Sequence, residues 1–354
     1  HITPDCLTIQ GVSGSPCVPD DVINAGNSGQ VLRFIGAIAG LIDGYTIITG
    51  DESVRHNRPV QPLLDGLQQL TAFAKSARGD GLSPIIIRGP MTSGTLTVLG
   101  LDSQPVSGLL IASVFLEGTT TINVLEAGEK PWVDLTLRWL DRLGVVYQRD
   151  GYDCYRVSGK KSYAGFDYTV PGDFSSLAFP VVAALLTGSS LRISPVDMSD
   201  SQGDKKLFAV LSSMGAQLDY DESTLCLKVL PCQQLVGREI AINDFVDAIT
   251  ILAVVGCFAS GETRITGAAI ARQKECNRLK AICTELKKMG ADIAETDDGL
   301  IIKQSSLHAA TVESYHDHRM AMSLSVAALL CEGETIINDV ACVKKSFPHY
   351  ARIM

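Results

Sequence analysis

The sequence lacks the long apolar run that a membrane-spanning helix requires. Its longest apolar stretch covers residues 248–259, whereas a helix that crosses the hydrocarbon core of a bilayer needs about 20 residues. Positive charge is also scarce, with 30 Lys and Arg against 39 Asp and Glu and a net charge of −9. Proteins that bind nucleic acids or anionic membranes present a basic surface. We therefore expect neither a nucleic acid nor a membrane as a partner of this 354-residue chain.

Common motifs of nucleotide, hydrolase and metal sites are missing as well. There is no Walker A motif, no GxGxxG after a predicted strand and no GxSxG. None of the ten cysteines forms a CxxC pair, and His316 and His318 lack a further ligand at the spacing of a metal site. Disulfide frameworks are typical of short secreted chains, so these cysteines indicate free thiols in a reducing compartment. We predict a cytoplasmic protein.

What the sequence does contain is an internal repeat. An apolar run that ends in Gly, followed by a polar residue and a β-rich segment, recurs five times, at spacings of 74, 70, 73 and 72 residues. Each repeat is predicted to hold an apolar helix, a β-branched strand, an amphipathic helix that ends in Gly, and one or two closing strands. Helices that are apolar nearly all round are buried, so the pattern predicts an α/β (α+β) fold with helices packed against sheets.

The repeat count also predicts two domains and an incomplete first repeat. Five apolar helices fit into the chain, and the first begins at about Gly26, after a fragment that resembles a closing strand. Three repeats per half would require one further repeat start before His1. By this symmetry the domain boundary falls in the loop-like stretch of residues 161–171. We therefore predict domains of residues 1–170 and 171–354.

The apolar helices begin with polar residues that suit two purposes. Free N–H groups at a buried helix N-terminus favour anions, and several such ends together would form a pocket for phosphates and carboxylates. Asn, Ser and Asp are also the preferred N-cap residues, so a purely structural role stays open for each of them. The helix starts in question are residues 27–30, 102–104, 172–176, 244–247 and 316–319.

Charged residues of both signs accompany these helix starts. Asp247 opens an apolar helix, and Glu275 lies between Lys274 and Arg278. An acid and a base on different repeats can exchange protons with a substrate in a cleft. Taken alone, an N-cap at Asp247 and a surface ion pair at Glu275 are the simpler interpretations. The basic residues, which suit carboxylates and phosphates but are often only surface charges, are Arg33, Arg55, Arg58, Lys274, Arg278, Arg319, Lys344 and Lys345.

Seven segments, spread in order over essentially the whole chain, carry a family resemblance. They are GNSGQVLR (26–33), TGDESVRHNRP (49–59), DSQPVSGLL (102–110), VDAITILA (246–253), RQKECNRL (272–279), HDHRMAM (316–322) and KKSFPHY (344–350). Together they resemble the 3-phosphoshikimate 1-carboxyvinyltransferase, or EPSP synthase, family. The resemblance implies a two-domain enolpyruvyl transferase fold with three βαβαββ-like units per domain. It also implies transfer of the enolpyruvyl (carboxyvinyl) group of phosphoenolpyruvate to the 5-hydroxyl of shikimate 3-phosphate, without a metal or an organic cofactor.

The resemblance implies roles for residues at matching positions. Asp247 would take the proton of the 5-hydroxyl group, Glu275 would handle proton transfer at the methylene carbon, and His318 would line the catalytic site. The residues that would hold phosphoenolpyruvate are Asn27, Gly29, Arg58, Gln104, Arg278, Arg319 and Lys345. Those that would hold shikimate 3-phosphate are Ser103, Gln104, Trp132, Asp247 and Lys274. Fixed positive charge of this kind stabilises a tetrahedral intermediate.

Several positions depart from the family pattern. The family's Gly-Ser-Lys-Ser segment is missing, and the sequence begins after it, which agrees with an incomplete first repeat. Asp102 and Glu129 stand where the family has serines that contact the shikimate phosphate. Acids there repel a phosphate, unless they turn away or pair with a cation such as Lys130. We therefore expect the acceptor end of the site to match the family less well than the phosphoenolpyruvate end.

Two alternatives to this function stay open. The enolpyruvyl transferase of UDP-N-acetylglucosamine has the same architecture, but it carries a reactive cysteine in the loop that matches residues 49–59, where this sequence has none. The second alternative is a fragment that binds ligand without turnover, and the missing Gly-Ser-Lys-Ser segment is its main support. We favour a monomeric transferase of the shikimate pathway, which leads to chorismate and the aromatic amino acids.

Overall fold

The described chain divides into two compact units. The computed structural model describes residues 2–3, 6–159 and 163–354. Unit 1 comprises His1–Ala127 and Val133–Asp167, and unit 2 comprises Gly128–Trp132 and Tyr168–Met354. Lys161 and Ser162, which belong to the stretch used for the predicted boundary, lie outside the described residues. The domain boundary at residue 170 stays a prediction.

Strands are short throughout the described residues. In chain order they are β1 (Ile2–Thr3), β2 (Cys6–Leu7), β3 (Ile23–Asn24), β4 (Tyr45–Thr49), β5 (Phe73–Ser76), β6 (Ile85–Arg88), β7 (Thr95–Leu99), β8 (Thr119–Leu125), β9 (Tyr147–Asp150), β10 (Cys154–Ser158), β11 (Leu191–Ile193), β12 (Gln217–Asp221), β13 (Cys226–Leu230), β14 (Glu239–Ala241), β15 (Glu262–Thr266), β16 (Asp292–Glu295), β17 (Leu300–Lys303), β18 (Thr311–Glu313) and β19 (Ile336–Asn338).

Helices fill most of the intervals between these strands. The α-helices are α1 (Gly29–Ala39), α2 (Glu52–His56), α3 (Gln61–Gln69), α4 (Ser103–Ser113), α5 (Lys130–Arg142), α6 (Phe174–Thr187), α7 (Lys206–Ser213), α8 (Ile249–Phe258), α9 (Arg278–Lys288), α10 (His318–Ala328) and α11 (Tyr350–Ile353). The 3-10 helices are Gly203–Lys205, Asn243–Ala248, Ala269–Gln273 and Val340–Lys345. Among the described residues, none of these helices combines the length and the apolar character needed to cross a bilayer.

Strands and helices alternate as the repeat predicts. In the first copy the chain runs through β3, α1, β4, α2, α3, β5 and β6 and forms a sheet of order β3-β4-β6-β5. β3 and β4 are parallel, with Ile23 opposite Ile48, and the other neighbours are antiparallel. The same order recurs in β7-β8-β10-β9 and in β14-β15-β17-β16. Parts of the unit recur in β11-β13-β12 and in the parallel pair β18-β19. The βαβαββ-like repeat is thereby confirmed.

The first helices of the repeats are largely buried, as their apolar character predicts, although Val31 and Ile35 of α1 are exposed. In α8 every residue from 249 to 257 is buried, and α8 packs against α6 and α10. The second helix covers a sheet with one face only. In α9, for example, Leu279, Ile282 and Leu286 are fully buried, while Lys280 and Lys287 remain exposed. Each such buried side chain contributes about 1.5–3 kcal/mol to folding.

Four of the five predicted helix starts are capped by their own side chains. Ser28, Asp102, Asp173 and Asp317 each accept a hydrogen bond from a backbone N–H in the first turn of α1, α4, α6 and α10. Asp247 does not cap α8, so the N-cap interpretation of Asp247 is wrong. The 3-10 turn of Asn243–Ala248 contains a non-helical residue, Phe245, and α8 begins only at Ile249. Asp247 is therefore available for other partners.

Two glycines of unit 1 allow the last strand of a repeat to approach the end of its first helix. Gly89 follows β6, and its N–H donates to the carbonyl of Ile42 at 2.9 Å. A Cβ atom built on Gly89 would overlap the carbonyl oxygen of Gly40, which ends α1. Gly159 follows β10 and meets the carbonyl oxygen of Leu116 in the same way. The repeat thus requires glycine at these two equivalent positions, because the obstacle is backbone that cannot rotate away.

We predict that Gly89→Ala lowers the free energy of unfolding by about 1–3 kcal/mol, the usual cost of overpacking. Urea denaturation followed by circular dichroism measures the change. Gly165→Ala is the matched control, since no atom lies within 4 Å of a Cβ at Gly165. Equal stability of the two variants would contradict the close approach.

Candidate functional site

A buried arginine, Arg278, is the centre of a cluster of charged side chains in unit 2. It is the first residue of α9 and is 1% exposed. Its Nε donates to Oδ2 of Asp317 at 2.7 Å, its Nη1 donates to Oδ1 of Asp247 at 2.7 Å, and its Nη2 donates to Glu275. Burial lowers the pKa of Arg278, but Asp317, Glu275 and Asp247 outweigh it and raise that pKa well above its ordinary value. Three carboxylates therefore compensate one buried cation.

Two further cations extend this cluster. Arg319 donates through Nη2 to Oδ2 of Asp247 at 2.9 Å, and Lys345 donates through Nζ to Oε1 of Glu275 at 2.8 Å. Asp247 thus bridges two arginines, and Glu275 bridges Arg278 and Lys345. Glu275 is 8% exposed, so the predicted alternative of a surface ion pair at Glu275 is wrong.

Asp247 is held as a carboxylate by its cationic neighbours. Partial burial raises its pKa, but Arg319, and then Lys274 and Arg278, outweigh burial and hold the pKa well below its ordinary value. The side chain keeps 22% of its surface exposed, so a bound molecule can reach it. A carboxylate with so low a pKa is a weak base until its cations are engaged elsewhere.

Asp317 was not among the predicted site residues, although the HDHR segment contains it. It caps α10 by accepting from the N–H of Arg319 at 2.8 Å, and it accepts from two nitrogens of Arg278. Its side chain is fully buried. Asp317 thus fixes both the start of α10 and the guanidinium group of Arg278. In the sequence, its position before a buried helix indicated the cap but not the contact with Arg278.

A second ion pair of unit 2 joins two distant segments of the chain. Nζ of Lys274 lies 2.6 Å from Oε1 of Glu129, and both residues are buried. The N–H of Glu129 donates to Oδ1 of Asn243 at 3.2 Å. The acid at this expected phosphate position is therefore paired with a cation, one of the two arrangements compatible with a phosphate nearby, and this cation is Lys274.

His318 is buried beside Asp317 and Arg319. Burial first, and then the charge of Arg319, lower its pKa to about 4. Within the described part of the chain, Nδ1 of His318 has no hydrogen-bond partner, and it lies 4.0 Å from Oδ1 of Asp317. His318 is therefore neutral near pH 7 and offers a hydrogen-bonding group to a ligand rather than a charge.

Asp204 is another acid that the sequence did not single out. It accepts from the hydroxyl of Ser175 and is 2% exposed, while its Oδ1 has no partner among the described residues. Burial, followed by the charge of Asp247, raises its pKa to about 7. Asp204, Asp247 and Arg319 line the same small cavity. This acid is part of the electrostatic surroundings of Asp247.

Unit 1 holds its own buried arginine. Arg33, one turn into α1, is 2% exposed and lies 2.9 Å from Oδ2 of Asp102. It also donates to Oε1 of Gln104 and to the carbonyl of Pro59, each at 2.7 Å. Asp102 further accepts from the N–H of Gln104 at 2.9 Å. Asp102 thus pairs with Arg33 and caps its own helix. Pairing with a cation is one of the two conditions under which an acid at this position is compatible with a phosphate nearby.

The other predicted residues of unit 1 gather around Gly29. A Cβ atom at Gly29 would lie 2.8 Å from Nη1 of Arg33, 3.2 Å from Oε1 of Gln104 and 3.7 Å from Nη1 of Arg58. Arg58 is buried, and Asn27 donates to Oδ2 of Asp51 at 2.6 Å. The structure therefore brings Gly29, Arg58 and Gln104 together at the N-terminus of α1, where free N–H groups favour an anion.

The predicted site residues thus form one group in each unit. In unit 2 the group includes Asp247, Lys274, Glu275, Arg278, His318, Arg319 and Lys345. Trp132 is half-buried in unit 2, and Ser103 is the buried first residue of α4 in unit 1. No group of three or more metal-ligating side chains occurs in the chain as far as it is described.

Sequence comparison finds one family over nearly the whole chain. The family model of EPSP synthase (3-phosphoshikimate 1-carboxyvinyltransferase) matches residues 3–354. The 3-phosphoshikimate 1-carboxyvinyltransferase of Acetivibrio thermocellus is 41% identical over 99% of this chain and 82% of its own length. That of Ruminiclostridium cellulolyticum is 40% identical, over 98% and 81%. That of Chlamydia caviae is 39% identical, over 97% and 77%.

Structural comparison agrees with the sequence comparison. EPSP synthase from Acinetobacter baumannii superposes with a TM-score of 0.76 at 26% identity, covering 95% of this chain and 78% of that chain. A second structure of the Acinetobacter baumannii enzyme gives a TM-score of 0.75. The predicted enolpyruvyl transferase fold is confirmed.

We predict that Asp317→Asn lowers the free energy of unfolding by about 3 kcal/mol, because it leaves the buried Arg278 undercompensated. Denaturant unfolding measures the loss. Asp292→Asn is the control, since its 3.7 Å contact with Lys303 is exposed and worth under about 1 kcal/mol. A loss as small as the control's would contradict the central role of Asp317.

We also predict that His318 weakens the fold in mild acid. Below pH 6.5 His318 binds a proton in the unfolded chain. In the folded protein it does not, because its pKa is about 4. Stability is therefore lost as the pH falls from 6.5 towards 4, at no more than about 1.4 kcal/mol per pH unit. His318→Gln should reduce this loss by about 2 kcal/mol, as measured by urea unfolding at pH 7 and at pH 4.5. A reduction of the same size in His56→Gln, at an exposed position, would contradict the assignment to His318.

Proposed function

The chain belongs to the EPSP synthase family, and we propose on this premise that it transfers the enolpyruvyl group of phosphoenolpyruvate to the 5-hydroxyl of shikimate 3-phosphate. Phosphate is the leaving group, and the product lies on the route to chorismate. The observation that carries the proposal is the network around Arg278, in which fixed cations alternate with carboxylates. Two anionic substrates need such cations, and a proton-transfer reaction needs such carboxylates.

Asp247 acts as the base in this proposal. In the free protein its pKa is depressed mainly because Arg319, Lys274 and Arg278 surround it. A phosphate or carboxylate that engages the two arginines weakens their hold on Asp247. Its pKa then rises towards the range of a useful base, and the carboxylate takes the proton of the acceptor hydroxyl as the oxygen attacks C2 of phosphoenolpyruvate.

Glu275 transfers protons at the methylene carbon of phosphoenolpyruvate in this scheme. Its two oxygens lie on Arg278 and Lys345, both of which are assigned to phosphoenolpyruvate. An acid placed beside the cations that hold a substrate is within reach of that substrate's reacting carbon. We assign two steps to Glu275: in its protonated form it delivers a proton to the methylene carbon as the oxygen adds to C2, and as the resulting carboxylate it removes a proton from the methyl group when phosphate leaves.

We assign the binding residues by the resemblance to the family. The residues assigned to phosphoenolpyruvate are Asn27, Gly29, Arg58, Gln104, Arg278, Arg319 and Lys345. His318, being neutral, donates or accepts a hydrogen bond without adding charge. Ser103, Gln104, Trp132, Asp247 and Lys274 contact shikimate 3-phosphate. The clustering of most of these side chains within each unit supports the assignment.

The cysteines and the family of the chain support a proposal for its cellular compartment and its acceptor substrate. The nine cysteines from Cys17 to Cys342 are free thiols, five of them only partly buried or exposed, which supports a reducing cytoplasm. We propose a cytoplasmic monomer. Shikimate 3-phosphate is favoured over UDP-N-acetylglucosamine as acceptor because the family itself is that of the shikimate enzyme.

We predict that Asp247→Asn lowers kcat by a factor of about 10²–10⁴, the usual contribution of a positioned base. The measurement is steady-state phosphate release from phosphoenolpyruvate and shikimate 3-phosphate, with UDP-N-acetylglucosamine as the alternative acceptor. Asp244→Asn, three residues away and paired with Lys206 at the surface, should leave kcat unchanged. Near-normal turnover of Asp247→Asn would contradict the role of Asp247 as the base.

A further inference from the structure

The set of ion-paired side chains in the charged cluster of unit 2, which does not include Asp204, is balanced in charge. Its four cations are Lys274, Arg278, Arg319 and Lys345, and its four acids are Glu129, Asp247, Glu275 and Asp317. His318 adds no charge near pH 7, because its pKa is about 4. An incoming anion therefore gains a strong attraction only where it takes a cation over from one of these acids.

Glu129 is the one acid of these four whose described ion pair does not involve Arg278. Asp247 and Glu275 each bridge two cations, so displacing either one breaks two ion pairs. Asp317 also caps α10. The 2.6 Å contact between Glu129 and Lys274 does not involve Arg278, although the charge of Lys274 also acts on Asp247. It can open while Arg278 keeps its partners.

The backbone of Glu129 is held in an unusual conformation. Its φ of +44° lies in the left-handed region, which residues other than glycine and asparagine rarely adopt. The contacts of its N–H with Asn243 and of its carboxylate with Lys274 secure this conformation. Strained residues of this kind are concentrated at ligand-binding sites. The conformation places a carboxylate, 3% exposed, on the buried ammonium group.

We propose that Glu129 is a specificity-determining residue, whose carboxylate competes with the anionic group of the acceptor for Lys274. The inference rests on the proposed function, in which Lys274 contacts shikimate 3-phosphate. Acceptor binding then exchanges one anion for another on this lysine, so the acceptor binds less tightly than a free lysine would allow. Phosphoenolpyruvate, which uses other cations, is unaffected.

The first test is Glu129→Gln, which keeps the size of the side chain and removes its charge. We expect the KM for shikimate 3-phosphate to fall about tenfold, equivalent to about 1.4 kcal/mol, while the KM for phosphoenolpyruvate changes little. Glu262→Gln is the matched control, because Glu262 pairs with Arg264 at 3.4 Å on the exposed side of β15. An unchanged or raised KM for shikimate 3-phosphate in Glu129→Gln would overturn the proposal.

A double-mutant cycle assigns the effect to Lys274. Calorimetry gives the Kd of shikimate 3-phosphate for the wild type, Glu129→Gln, Lys274→Met and the double variant. Competition for Lys274 requires that the gain from Glu129→Gln largely disappears in the Lys274→Met background. An equal gain in both backgrounds would mean general repulsion and would overturn competition for this lysine. Glu129→Ser repeats the test if the glutamine variant is unstable.

Inorganic phosphate separates this inference from the proposed function. If the wild type released no phosphate from the two substrates, the proposed function would fail. The competition would still be measurable, because Glu129→Gln should bind inorganic phosphate about tenfold more tightly than the wild type, and Lys274→Met should abolish that gain. Equal phosphate affinity of the wild type and Glu129→Gln would overturn the inference whatever the outcome for turnover.

Discussion

The burial of the Arg278 guanidinium is the constraint on which the charged part of unit 2 depends. A buried cation left without partners costs several kcal/mol, so the fold must bring carboxylates to it. Asp247, Glu275 and Asp317 reach it from three segments: a 3-10 turn, the residues before α9, and the start of α10. Folding therefore fixes the positions of the acids before any substrate is present. Preorganised charge of this kind is what transition-state stabilisation requires.

Unit 1 satisfies a similar constraint with fewer groups. Arg33 is buried with Asp102, Gln104 and the carbonyl of Pro59 as partners. The expected conflict between Asp102 and a phosphate is reduced, because Arg33 and the N–H of Gln104 offset the acid's charge. The repeat architecture makes this possible, since it places the N-termini of buried helices next to side chains from neighbouring repeats. The N-cap and anion-site interpretations of such a helix start are therefore compatible.

The sequence predicted the features that depend on local pattern. The repeat, the buried first helix and the caps at Ser28, Asp173 and Asp317 all follow from spacing and residue type. The cap predicted at Asp247 was wrong because the non-helical Phe245 delays the start of α8, which no local rule indicates. The pairing of Glu129 with Lys274 joins positions 145 residues apart, and the raised pKa of Asp204 arises from burial. Both are tertiary effects, invisible to spacing and composition. The catalytic roles expected for Asp247 and Glu275 came from the resemblance to a family and not from the physical chemistry of the sequence.

The arginines around Asp247 link substrate binding to catalysis in the proposed reaction. A shift of one pKa unit corresponds to about 1.4 kcal/mol of interaction that favours one protonation state over the other. The depressed pKa of Asp247 therefore reflects the excess of what Arg319, Lys274 and Arg278 contribute to its charged form over what burial removes. Substrate anions that take over part of this interaction raise the pKa of Asp247 by the corresponding amount. Base strength then appears only when the anions are in place, so the free protein keeps an inert carboxylate and the loaded protein keeps a reactive one.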